Sequence, residues 1–363
     1  MAAAGAVPDT AVSAAFSAVL RGDLAAGGAA QLRALAVPSD DNVTLASANS
    51  LWARDGVKHS YAELLTQRFG AVAAPLTDAA AVNGWVSEHT AGRIDRIVDD
   101  GTVSDPMVRA LLVNAVYFKA PWSTPFEPRL TKRGMFFTAQ GGQGEPCAMM
   151  SLKPQRLPFA RTATGTAVAL SYGNGQYRTV LVMPAEHDPA AMTELLAGAA
   201  GTTPSPLSEL RSRLIDIRVK LSLPRFTLSY GVSSLKQALV AMGLGPAFDA
   251  SSGEFGLISD DKDLHISDVL HKAVLEVTEE GTTAAAATAV VMMTRAMVVE
   301  PPPEVVVFDR PFLMLIEDTA TGAPLFVGRV SRPEFTAVPH EGPTSGDTAA
   351  PAPQFGREFV PHE

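Results

Sequence analysis

Apolar residues recur at helical spacing from Thr10 to Leu20, with Asp9 or Thr10 placed to cap the start and Gly22 to stop the run. Val43–Ala53 alternates as a strand does. Tyr61–Phe69 and Ala79–Thr90 return to the helical period, the second closed by Gly92. Met107–Lys119, MVRALLVNAVYFK, is a long apolar run rich in Val and aromatics, which predicts a central strand of a large sheet. Arg178–Met183 and Asp216–Leu223 read as further strands, Ser233–Met242 as a helix stopped by Gly243, and Leu264–Val277 as a strand. Val305–Phe308, Phe312–Glu317 and Leu325–Val330 complete the set. The last two are joined by a turn over Asp318–Pro324 that contains Gly322. Helices dominate early and strands late, without a βαβ rhythm, so the fold class expected is α+β. No linker interrupts residues 1–333. Glu334–Glu363, rich in Pro, Gly and polar residues, is expected to be a disordered tail.

Composition narrows the functions available. The 363 residues are 47% hydrophobic, enough for one large core or at most two. Net charge is −9 and no Lys/Arg run suggests nucleic acid, an anionic membrane surface or heparin; the helix at 10–21 carries only Arg21. No apolar run approaches the roughly 18–20 residues that span a bilayer. A single cysteine, Cys147, allows no internal disulfide and is expected to be a buried or semi-buried free thiol without a function. Seven scattered His, with no HExxH and no paired CxxC, give no metal site, and no cofactor motif is visible. Asn42-Val43-Thr44 is a glycosylation sequon of low specificity. There is no GxSxG, Walker loop or GxGxxG, and His271, in the alternating run SDVLHKAVLEV, reads as a hydrogen-bonded structural residue without a catalytic partner. An enzyme is therefore not expected.

Several motifs in order resemble one family. HKAVLEVTEEGTTAAAATAVVMMTRAM is similar to the last central strand, hinge and reactive-centre loop of the serpins. Asn83, Trp85, Val86, Thr90, Gly92 and Ile94 match the family's helix pattern N-x-W-V-x-x-x-T-x-G-x-I. LLVNAVYFKAPWSTPFEPRLT resembles its strand N-x-x-Y-F-K-G-x-W-x-x-x-F, with Ala120 where Gly is usual. LPRFTLSY and VFDRPFLMLIEDTATGAPLFVGRVSRP match its later strands and C-terminal signature. The resemblance implies a serpin domain over 1–333 with a large central sheet, surrounding helices and an exposed loop. It also implies two further helices and a short strand before MAAAGAVPDT. A chain without them is expected to be impaired in stability or a truncated inactive product. The resemblance places the protein outside the cell; the chain as written, with no signal peptide, would be cytoplasmic. A monomer is expected.

The loop sequence suits strand insertion. Thr282, Thr283, Ala284, Ala285, Ala286 and Ala287 are small and uncharged on both faces of an alternating strand, and Gly281 gives the hinge backbone freedom after Glu279 and Glu280. Thr283 replaces the Glu usual in the family, and a neutral residue is no harder to bury. By the family's register, counting sixteen positions from Glu279 puts the reactive bond at Arg295–Ala296; a slip of one or two residues would offer Thr294 or Met293. Arg at that site implies a trypsin-like serine protease as partner. Insertion of the segment from Thr282 to Arg295 would carry a protease acylated at Arg295 about 43 Å and distort its active site. By the same resemblance Asn114 and His271 belong to the polar shutter beneath the parting strands, and Trp122 to the breach where insertion begins. Core packing is the alternative role for Asn114 and Trp122. Taken alone, AAAATAVVMM also reads as a surface helix or linker. The family's second option, a non-inhibitory binding or chaperone-like protein, is disfavoured by the small hinge residues.

Overall fold

The computed structural model describes residues 11–20, 38–138, 142–196, 205–251, 254–282 and 301–335. Gly22, the loop from Thr283 through Arg295 and Ala296, and the tail beyond Phe335 lie outside the described residues. In chain order, the first part holds α1 (Ala11–Leu20), β1 (Thr44–Ala53), α2 (His59–Phe69), β2 (Val72–Pro75), α3 (Ala79–His89), α4 (Asp100–Ser104) and β3 (Ala110–Pro121). Then come β4 (Lys132–Phe136), β5 (Glu145–Ser151), β6 (Gln155–Arg161), β7 (Gly165–Tyr172), β8 (Tyr177–Pro184), α5 (Pro189–Leu196), α6 (Pro206–Ser212) and β9 (Ile215–Pro224). The last part holds β10 (Phe226–Ser234), α7 (Lys236–Leu239), β11 (Ile266–Val277), β12 (Gly281–Thr282), β13 (Glu304–Val307), β14 (Phe312–Asp318), β15 (Pro324–Val330) and β16 (Glu334–Phe335).

The strands form two sheets. The first runs β16-β10-β11-β3-β1-β2, with β12 on the end of β3; the second runs β15-β14-β8-β7-β6-β9-β5-β4, with β13 on β9. The run at 107–119 is indeed a central strand. β3 pairs antiparallel with β1 along its length and parallel with β11 from Ile266↔Ala110 to Val274↔Tyr117. Alternation sends its side chains to different cores. Leu111, Val113 and Ala115 face a cluster under α3 that includes Val82, Val86, Ile94 and Leu270. Phe118 and Ala120 enter the core shared with the second sheet, where Phe118 meets Tyr172 and Tyr177 edge-on.

The motif around α3 folds for local reasons. Asp78 caps the start, accepting from the Ala81 N–H at 2.8 Å. At the far end the Thr90 hydroxyl donates to the Val86 carbonyl and accepts from the Ile94 N–H, while Gly92 (φ +70°) returns its N–H to Ser87. Asn83 ties the helix to the following segment, accepting from Ile97 and Val98 N–H groups and donating to the Val98 carbonyl. This pins α3 across the front of β1, β3 and β11.

Three expectations need correcting. Strands are not confined to the later half: β4 to β7 occupy 132–172, short runs whose alternation is broken by Gly and Pro. Residues 233 and 234 are strand, not helix, because Ser233 and Ser234 pair with His271 and Leu270; the helix is the single turn α7, followed by a wide turn in which Gly243 has φ +107°. Glu334 and Phe335 pair with Thr227 and Phe226, and the Phe335 ring packs 5.4 Å from Phe136, so order extends just past 333.

Candidate functional site

At the end of β11 the chain reverses through Thr278–Gly281 and starts back as β12, antiparallel to the end of β3. The turn is closed by Gly281 N–H to the Thr278 carbonyl and by Thr278 N–H and Oγ1 to the Gly281 carbonyl. Gly281 then lies opposite Pro121, and Thr282 opposite Ala120. Only glycine fits here. Its φ is +142°, and a Cβ would stand 2.2 Å from the Ala120 carbonyl oxygen and 2.6 Å from Pro121 Cα. The hinge glycine expected from sequence is thus needed for close approach as well as for turning.

Trp122 fastens this turn. Its backbone N–H donates to the Glu280 carbonyl and its indole Nε1–H to the Thr278 carbonyl, both at 2.9 Å. The ring stacks on Tyr172 at 4.4 Å and meets Phe126 edge-on at 6.2 Å. Phe126 in turn donates its backbone N–H to the Glu279 carbonyl. The Glu279 carboxylate is buried, accepting from Thr131 Oγ1 at 2.8 Å and lying 3.5 Å from Arg225. Sequence reasoning put Glu279 in the hinge but gave it no partners. Arg225 stands in the quoted run LPRFTLSY as its basic residue, and nothing local points it at a carboxylate some fifty residues on.

Further along the same strands lies a polar chain. His271 on β11 faces Asn114 on β3, the two being register partners. The Nδ1–Oδ1 distance is 2.7 Å, and because an amide oxygen only accepts, Nδ1 carries the proton. Asn114 Nδ2 donates to Asn49 Oδ1 on β1 at 2.7 Å, and Asn49 Nδ2 to Ser47 Oγ. The chain therefore crosses three strands, and Asn49 is a member the sequence gave no reason to single out. Burial holds the imidazole pKa below its ordinary value. Two clefts flank the chain on the back of the sheet. One, of about 270 Å³, is lined by Asn49, Asn114, Leu112 and Phe16; the other, of about 490 Å³, by His271, Leu275 and Phe326.

The remaining candidates are quieter. Cys147 is buried in the shared core; desolvation, with a smaller effect of the Asp309 charge, pushes its thiol up to about 11. Among the described residues no three His, Cys, Asp or Glu side chains are grouped to hold a metal ion.

A two-sheet α+β fold, with the turn after β11 entering the seven-stranded sheet beside its central parallel pair, defines the class. The chain belongs to the serpin family: the family model described as Serpin (serine protease inhibitor) matches residues 2–333. It is 32% identical to the mouse (Mus musculus) glia-derived nexin over 71% of this chain and 64% of that one, and 33% identical to human (Homo sapiens) antithrombin-III over 80% and 62%. The chain thus spans just under two thirds of the length of the curated relatives it matches. Among solved structures, human thyroxine-binding globulin complexed with its ligand superposes with a TM-score of 0.77 at 22% identity, over 92% of this chain and 88% of that one, a likeness of fold alone.

Proposed function

We propose that this chain inhibits a trypsin-like serine protease by a suicide mechanism, with Arg295–Ala296 as the bond attacked. One observation carries the reading: the hinge backbone is already in antiparallel register at the end of β3, just beyond the point where β3 and β11 stop pairing. A loop freed by cleavage extends that register as a new strand between the two. One parallel ladder is then replaced by two antiparallel ones. Over the eight residue pairs from Ile266↔Ala110 to Val274↔Tyr117 the net gain is on the order of 8 kcal/mol in backbone hydrogen bonds. Continued along β3, that register would set Ala287, Ala289 and Val291 opposite Ala115, Val113 and Leu111, beneath α3, whose Val82 and Val86 cover β3 and β11 and must yield as the strand enters. Trp122 and Glu279 hold the entry point; Asn114 and His271 hold the strands together until they part.

Mixing the protein with trypsin is expected to give a covalent complex that survives SDS, and Arg295→Ala removes it. Clean cleavage after Arg295 with no complex sinks the reading, and cleavage after Met293 or Thr294 moves the bond. A second reading, a non-inhibitory binding protein, is favoured by the two clefts beside Asn114 and His271. The two readings separate on heat: a large rise in Tm after loop cleavage belongs to the inhibitor, no rise to the binding protein.

A further inference from the structure

The sheet face nearest the far root of the loop is cationic on a protein whose net charge is −9. Pro301, the first described residue after the loop, lines a surface cleft of about 430 Å³ together with Arg156, Asp216 and Arg218. Arg156 and Arg218 are direct cross-strand partners on β6 and β9, an arrangement of like charges that costs stability rather than adding it. Two residues on along β9, Lys220 shares the outer face and pairs with Val305 on β13. Val305 is 60% exposed and Val307 37%. Among the described residues the opposing charges are Asp216 and Glu304, and Arg218 is not without a partner of its own. Asp216 is exposed and its carbonyl accepts from Arg156, while Glu304 is taken by Arg161 at 2.9 Å. Cationic side chains interleaved with exposed valines suit a protein surface better than a bare polyanion, which asks only for charge.

The loop brings that surface within reach. Five residues separate Arg295 from Pro301, six steps or at most about 21 Å of chain. A protease domain of roughly 230 residues has a radius of gyration of about 17 Å. A protease engaged at Arg295 is therefore close enough to reach the face built by β6, β9 and β13. We propose that this face is an accessory docking surface for an acidic, partly apolar patch beside the active-site cleft of the target protease. The proposal rests on the inhibitor reading and concerns the encounter alone, because insertion later carries the protease away. It acts on the association rate and leaves the stoichiometry of trapping alone.

The test measures the second-order rate of complex formation with an anionic and a cationic trypsin, enzymes of shared specificity and opposite charge. Wild type is expected to capture the anionic enzyme faster. Lys220→Glu lowers that rate roughly fivefold at low ionic strength, with the difference fading in high salt, and leaves stoichiometry unchanged. Lys262→Glu makes the same change of net charge at an exposed site far along the chain and is expected to have little effect. Equal slowing by both variants, or none by Lys220→Glu, overturns the docking surface and leaves the inhibitor reading standing. Retention of wild type on heparin that Lys220→Glu abolishes, with rates unchanged, also overturns it in favour of a polyanion. If wild type forms no covalent complex with either trypsin, the inhibitor reading falls and takes this proposal with it.

Discussion

Two places along the β3–β11 pair, about 26 Å apart, are held by opposite means. At the upper end the hinge turn is pressed against Ala120 and Pro121 so closely that a Cβ has no room, Trp122 is stacked on Tyr172, and the Glu279 carboxylate is buried beside Arg225. At the middle, His271 and Asn114 hold the strands through a hydrogen bond between half-buried side chains, with a cleft on either side. Dry, close-packed contacts resist deformation, since any displacement forfeits many of them together. A polar pair beside open space can exchange one partner for another at small net cost. On the inhibitor reading proposed above, the upper end would fix where an entering strand begins, and the middle would set how readily the sheet gives way behind it.

Replacing the hinge glycine breaks this contrast most severely. Gly281→Val is expected to expel β12 from the end of β3, destabilising the protein by about 3 kcal/mol in urea unfolding. If the proposed inhibitor reading holds, it should also leave the loop cleaved without trapping the protease. Glu279→Lys follows, at about 2–3 kcal/mol, because it sets two cations facing each other in a buried site. Thermal melts of Glu279→Lys, Arg225→Met and the double variant test the coupling. If the two losses simply add, the carboxylate does not act through Arg225.

The middle should respond more gently. Asn114→Ala leaves His271 Nδ1–H without its acceptor and costs about 1–2 kcal/mol. pH probes the same bond. Burial depresses the folded-state pKa of His271, so the unfolded chain binds its proton more readily. Its contribution is complete above the unfolded value, about 6.5, and is lost as pH falls below it toward the folded pKa. His271→Gln should flatten that part of the stability–pH curve. A slope unchanged by the substitution would show that other groups titrate there.

The places where sequence reasoning succeeded share a physical cause. β3 was legible because a central strand must be apolar on both faces, and α3 because its caps and its glycine are local chemistry. The run from 132 to 172 was not, because short strands interrupted by Gly and Pro owe part of their pairing to distant partners: β5 and β6 both to β9. Ser233 and Ser234 looked helical beside the apolar positions that follow, and were claimed instead by backbone partners on β11. At the hinge, sequence named Glu279, Gly281 and Trp122 one by one. Thr131 and Arg225, which complete the surroundings of Glu279, and Asn49, which extends the chain from His271 and Asn114, carry no local signature, since a hydrogen bond across 148 residues leaves none.

By itself the sequence carried the α+β class, the run of small residues after Glu279–Glu280 and the motifs that resemble the family, while the candidate bond at Arg295 is what the family's register implies. Composition, alternation and motif order are properties the chain carries wherever it goes. The tertiary structure decided that β3 and β11 are direct parallel neighbours, that Gly281 is obligatory through contact with Ala120, and that a polar chain runs from His271 to Ser47. It also gathered Arg156, Arg218 and Lys220 beside the loop's root. Each of these depends on which strand lies next to which, a choice made by burial summed over the whole molecule.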